Sequence, residues 1–188
     1  VDINGDGKGI VKITGDITFE TPRGNSGEYI NSTVNLNLVG PDSSWTGSVS
    51  KMYPSTWTSD NPATQVTGLS LTLSEGAQWN PVVITPWEDE YTYKDDQGQW
   101  QTIHLSGYSQ ALNSLEMNDG VINVQYGSEQ VVEIENMTGS GGTINVTATT
   151  DGQNIESGSV NIKSAAKETT LAVVAQGINA DDIEDAEA

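Results

Sequence analysis

The sequence predicts an all-β chain in which single strands, separated by glycine corners, stack as the coils of a parallel β-helix from which one β-hairpin projects. Three observations predict this. Short runs of alternating or β-branched apolar residues recur from end to end, and glycine-centred turn signals lie between them. The composition is also too lean for a thick globular core: 35% of the 188 residues are hydrophobic and Phe19 is the sole phenylalanine. Such a composition suits a narrow core repeated along an axis, in which each coil buries a few aliphatic residues and exposes many Thr, Ser, Asn and Gly.

Taken in order, the strand runs cover residues 9–14, 16–19, 34–39, 69–73, 81–85, 115–117, 121–124, 131–134 and 143–147. Between them stand Asn4-Gly5, Asp6-Gly7, Thr14-Gly15, Val39-Gly40-Pro41, Glu75-Gly76, Asp119-Gly120, Gly139-Ser140-Gly141-Gly142 and Asp151-Gly152, which supply the backbone freedom of tight turns. The spacing does not fit hairpins closed by two-residue loops. It fits coils of roughly 20 or more residues, each strand pairing with the coils above and below. Helical periodicity is nearly absent, and short helices or frayed ends are expected only over 164–168 and 181–188.

Two stretches break the rhythm. Lys51 to Gln65, with Tyr53-Pro54, Trp57 and Asn61-Pro62, is too polar and proline-rich for a central strand and reads as an excursion. Trp87 to Leu105 reads as the projecting hairpin, in which Tyr91-Thr92-Tyr93 faces Gln99 to Ile103 across Asp95-Asp96-Gln97-Gly98, a turn with glycine where a left-handed residue is needed. The organisation expected is thus one body over 1–165 with excursions at 51–65 and 87–105, followed by a C-terminal coil or cap with an acidic tail over 166–188.

Charge removes several partner classes. Seven Lys and Arg stand against 26 Asp and Glu, a formal net charge of −19, so phosphate backbones and anionic membrane surfaces are repelled. Nucleic acid is therefore not an expected partner, and neither is membrane contact by this segment. No apolar run reaches the roughly 20 residues of a membrane-spanning helix, and the first residues lack the pattern of a secretion signal.

Four stretches resemble the passenger regions of bacterial autotransporters of the pertactin and diffuse-adhesin type. They are Ser43-Ser44-Trp45-Thr46-Gly47, Leu71 to Asn80 (LTLSEGAQWN), Leu112 to Val124 (LNSLEMNDGVINV) and Glu135 to Val146 (ENMTGSGGTINV). The resemblance implies a right-handed parallel β-helix at the surface of a Gram-negative cell, preceded by a cleaved signal and followed by an outer-membrane β-barrel. The acidic end at Ala188 lacks the alternating strands and aromatic girdles of a barrel, so the chain is expected to be a segment excised from a passenger.

The chemistry-bearing motifs are few. Asp2-Ile3-Asn4-Gly5-Asp6-Gly7 opens like a calcium loop, with oxygen ligands Asp2, Asn4 and Asp6, but position twelve is Ile13 rather than a bidentate glutamate. A tight Asx/Gly turn is the expected reading. Gly24-Asn25-Ser26-Gly27 resembles a serine-protease nucleophile loop, yet the only histidine, His104, follows the serine at long range and alternates with Ile103 and Leu105 in a strand. With one His and no Cys, a usual zinc site cannot be built, and no cofactor is expected. The acids Glu88 to Asp96 would be the carboxylates of a polysaccharide-active enzyme, but neighbours on a strand point to opposite faces and runs of acids are usually solvated.

No catalytic residue is therefore assigned. Trp45 and Trp79 are expected to pack, while Trp57, Trp87, Tyr91, Tyr93 and Trp100, in or beside the excursions, are candidate partner-binding residues. Two roles stay open for the aromatics of the excursions: anchoring a partner, or pinning each excursion to the coils. The function expected is a non-enzymatic adhesin and stalk at the cell surface, attaching to a protein or glycan of a host or neighbouring cell. The alternatives are a polysaccharide-active enzyme, or a structural spacer with an autochaperone-like role in folding.

Overall fold

The computed structural model describes residues 1–20, 32–54, 68–82, 87–109, 111–125, 131–150 and 155–177. Among these residues the protein is all-β, without a helix. The first pass of the chain forms β1 (Asp2–Ile3), β2 (Lys12–Thr14) and β3 (Ile17–Glu20), and the second forms β4 (Thr33–Val39), β5 (Ser44–Thr46) and β6 (Val49–Pro54). A third pass forms β7 (Gly68–Ser74) and β8 (Gln78–Asn80), then leaves the stack as β9 (Trp87–Lys94) and β10 (Trp100–Ser109). There follow β11 (Leu112–Asn118) and β12 (Val121–Val124), the long β13 (Val131–Thr150), β14 (Ile155–Ser157), β15 (Ser159–Ala165) and β16 (Thr170–Gln176).

Twelve strands make one large, mainly parallel sheet curled as a half-barrel, ordered β1-β4-β7-β11-β13-β12-β8-β5-β2, with β14, β15 and β16 also joined to β13. It has two arms because β13 runs through both, bending where Gly139, Gly141 and Gly142 take φ of 103°, 77° and 120°. In one arm the parallel register runs Asp2, Asn35, Ser70, Ser114, Asn136, Ser164. In the other it runs Ile13, Trp45, Trp79, Ile122, Ile144, Val173.

Period two along each strand turns one side chain in and the next out, so the core is a set of columns. Leu36, Leu71, Leu115 and Met137 form one buried column, and Leu38, Leu73 and Met117 the next. In the second arm Trp45 and Trp79 lie stacked, centroids 5.4 Å apart and planes 8° from parallel, continued by Ile122 and Ile144. Each indole donates to the preceding pass, Trp45 Nε1 to the Gly15 carbonyl and Trp79 Nε1 to the Gly47 carbonyl, both at 3.0 Å. The packing role expected of these two tryptophans is thus observed.

Outside them runs a polar column. Asn80 Nδ2 donates to Thr46 Oγ1 at 3.1 Å, Asn123 Nδ2 to Asn80 Oδ1 at 2.8 Å, and Asn145 Nδ2 to Asn123 Oδ1 at 2.8 Å. These partners are 34, 43 and 22 residues apart in the sequence. The shortest interval matches the coil length expected, and the 43-residue interval contains the hairpin.

The corners between the arms stack as well. Glu75 and Asp119 hold φ of 55° and 62°, and the Glu75 and Gly76 amides donate to the carbonyls of Asn118 and Asp119 at 3.0 and 2.8 Å. Gly120 packs so closely on Leu73 that an added Cβ would stand 2.4 Å from the leucine Cβ.

Two expectations are corrected. Lys51–Pro54 does not open an excursion: it completes β6, parallel to β3 and antiparallel to β10, with Pro54 at the strand's last position where the ladder ends. The rest of that excursion, with Trp57, lies outside the described residues. Residues 164–168 form no helix; β15 runs to Ala165 and a turn closes with the Thr169 amide on the Ala166 carbonyl at 3.0 Å. At the C-terminal end β16 pairs in parallel with β13, and Leu171 packs against the core. The acidic 181–188 lies outside the described residues.

Candidate binding surface on the hairpin

The hairpin forms because its turn is locked by one side chain. Asp95 Oδ1 accepts from the amides of Gln97 and Gln99 at 3.0 and 2.8 Å, and its Oδ2 accepts from Gln101 Nε2 at 2.9 Å. The Asp95 amide donates to the Gln99 carbonyl and the Gly98 amide to the Asp95 carbonyl, both at 2.9 Å, with Gly98 at φ 73°. The Gln101 side-chain bond, then the Gln99 amide, hold the Asp95 carboxyl below its ordinary value, with a further contribution from Gln97.

This register pairs Lys94 with Trp100, Tyr93 with Gln101, Thr92 with Thr102, Tyr91 with Ile103 and Glu90 with His104. The strand facing expected from the sequence is observed. The ribbon is not free along its length, however: Leu105–Ser109 of β10 pairs antiparallel with Pro54–Ser50 of β6, and sheet β3-β6-β10-β9 ties its base to the first two passes. Residues 100–104 extend past the end of β6 and make the part that projects.

Trp100 does not share a face of the ribbon with Tyr93. Trp87 and Tyr91 occupy alternate positions of β9, opposite Gly107 and Ile103. Tyr93, half-buried, continues that alternation, whereas Trp100 faces the other side of the ribbon, paired with Lys94. Trp100 is 69% exposed, and Lys94 Nζ stands over its ring at 5.0 Å from the centroid, so this indole is not pinned against the passes. On the same face His104 Nδ1 lies 3.0 Å from Glu90 Oε1, both side chains exposed. Sequence reading passed over Lys94 and weighed Glu90 only as a carboxylate of sugar chemistry. Their partners follow from the turn alone, because residues equidistant from Asp95–Gly98 meet across the ribbon.

The remaining motifs resolve locally. Asn4 sits at φ 54°, its Oδ1 accepting from the Gly9 amide at 2.8 Å and its Nδ2 donating to the carbonyls of Gly9 and Asn37, both at 3.0 Å. Asp2 accepts from Asn35 Nδ2, and Asp6 takes the Lys8 amide and ammonium at 3.3 and 3.7 Å. The three oxygens are engaged separately, as in an Asx/Gly turn, and no group of three metal-binding side chains occurs among the described residues. Glu88, Asp89 and Glu90 are exposed, and Gly24 to Gly27 lies outside the described residues.

Scans of family models, of curated proteins and of solved structures each find no match to this chain.

Proposed function

We propose that this chain is a stretch of right-handed parallel β-helix from the passenger of a bacterial autotransporter, held outside a Gram-negative cell as a non-enzymatic adhesin and stalk. The observation that carries the reading is the parallel pairing that links both arms from β1 to β16, with one register shift, between Ser140 and Thr143 where β13 meets β16. A stack of this kind extends by adding passes without changing its cross-section, as a stalk must. The four passenger-like stretches supply the strands and corners of the two arms, which is further support. On this reading the parent chain carries an outer-membrane β-barrel beyond the segment, and contact with a host or neighbouring cell is made where side chains leave the stack.

The test is attachment of cells that display the passenger with and without Trp100→Ala. Removing the whole of 87–105 would strip part of β10 from β6, so the point variant is the cleaner probe. Attachment should fall while surface display and protease resistance stay unchanged. Undiminished attachment would remove the hairpin from the adhesive role.

A further inference from the structure

We propose that the face of the hairpin carrying Trp100, Thr102 and His104 on β10, and Glu90, Thr92 and Lys94 on β9, is a stacking site for a neutral pyranose glycan; this rests on the adhesive reading above and names its ligand class. Three cross-strand pairs line the face in succession, Lys94 with Trp100, Thr92 with Thr102, and Glu90 with His104, and all six residues are exposed. Four residues of extended strand at about 3.4 Å each separate Trp100 from His104, giving a strip ~14 Å long.

The chemistry along the strip is graded. Lys94 covers one face of the indole, and 69% exposure leaves the ring open to a second contact. The electron-rich ring attracts the weakly positive C–H groups of a sugar's apolar face. Beyond it lie two hydroxyls able to donate or accept, then an imidazole and a carboxylate, which suit the hydroxyls of a second sugar unit.

Exposure and charge select the glycan. Trp100, 69% exposed, offers a flat apolar platform matched to the C–H face of one pyranose ring. The strip carries one cation, Lys94, and one carboxylate, Glu90, so its formal charges cancel. A polyanionic glycan would meet Glu88, Asp89 and Asp96 nearby and a chain of net charge −19 behind them.

The experiment is affinity electrophoresis of the purified 188-residue chain through gels containing a soluble β-glucan, galactomannan or xylan, with heparin and polygalacturonate in parallel. At least one neutral polymer should retard the wild type, Trp100→Ala should weaken that retardation about tenfold, and neither polyanion should retard it. Trp100→Phe should retain part of the effect, and both variants should keep the wild-type melting transition. Silence across the neutral panel, retardation unaltered in Trp100→Ala, or equal retardation by a polyanion overturns the proposal. Loss of cell attachment in Trp100→Ala without any glycan retardation would keep the adhesin and assign it a protein partner instead. Glycan retardation lost in the variant while attachment is unchanged would keep this site and count against the adhesive role.

Discussion

The stacked passes and the hairpin are both built of strands, yet their large side chains have opposite fates. In the passes, Trp45 and Trp79 are buried, stacked and hydrogen-bonded to the neighbouring pass. In the hairpin, Trp100 is 69% exposed with Lys94 over its ring. The difference lies in what each strand pairs with. A strand inside the stack has neighbours on both edges and a core behind it, so alternation decides what is buried. The projecting part of the ribbon has, among the described residues, one paired edge on each strand, so Trp100 and the side chains on its face stay exposed.

The sharpest way to break the comparison is to truncate a tryptophan in each region. Trp79→Ala removes a fully packed indole and should cost about 3–5 kcal/mol, read as a lowered urea midpoint. Trp100→Ala should lie within about 0.5 kcal/mol of wild type. Equal losses would mean that the hairpin is packed like the passes.

Glycines give the next test. Gly139 has φ 103°, and an added Cβ would stand 2.0 Å from the Met117 carbonyl oxygen, so Gly139→Ala should cost about 2–4 kcal/mol through strain and overpacking. Gly98 has φ 73° with nothing within 4 Å of that position. Gly98→Ala should therefore lose only the left-handed penalty of about 1–2 kcal/mol. Thermal melting of the two variants should rank them in that order.

Smaller still is the polar column. Asn123→Ala leaves Asn80 Oδ1 and Asn145 Nδ2 without their ladder partner, and about 1–2 kcal/mol should go, less where water replaces the bonds. The smallest effect belongs to the hairpin turn. Asp95 has a folded pKa below its ordinary 3.8, so its contribution is fully present above that pH and is lost as pH falls through the depressed value. The amide resonances of Gln97 and Gln99 should titrate together with a midpoint below 3.8. A midpoint at or above that value would contradict the turn lock.

Much of this comparison was legible in the sequence, because period two shows wherever a strand has one buried face. Leu69 to Leu73, Leu115 to Met117 and Val121 to Val124 announce themselves, and so do the corners with glycine at or beside a positive φ. Strand β16 did not, since Thr170 to Gln176 alternates weakly and Val173, 66% exposed at the last pass, is not enclosed as Ile144 is. Residues 51–54 were hidden by Lys51 and Pro54, because what holds them is backbone pairing, by β10 along all four and by β3 at Lys51 and Met52. The stacking of Trp45 on Trp79 and the asparagine column depend on which residues meet between passes. Intervals of 34, 43 and 22 residues conceal that register.

At the candidate surface the sequence singled out the aromatics but grouped Tyr93 with Trp100. Parity across the Asp95–Gly98 turn separates them. The pairs Lys94 with Trp100 and Glu90 with His104 follow from the same parity, and they define the strip better than aromatic content does.

The register between passes carries the whole account, and the absence of native cysteine allows it to be measured directly. Ser70 and Ser114 are register partners on adjacent parallel strands, about 5 Å apart, whereas Asn118 lies four residues further along β11, about 13 Å displaced. With cysteines at 70 and 114, a short thiol-reactive bis-electrophile such as dibromobimane should bridge the native chain in high yield, and with cysteines at 70 and 118 it should fail. Equal yields for the two pairs, or preferential bridging of the second, would contradict a stack of parallel passes in this register.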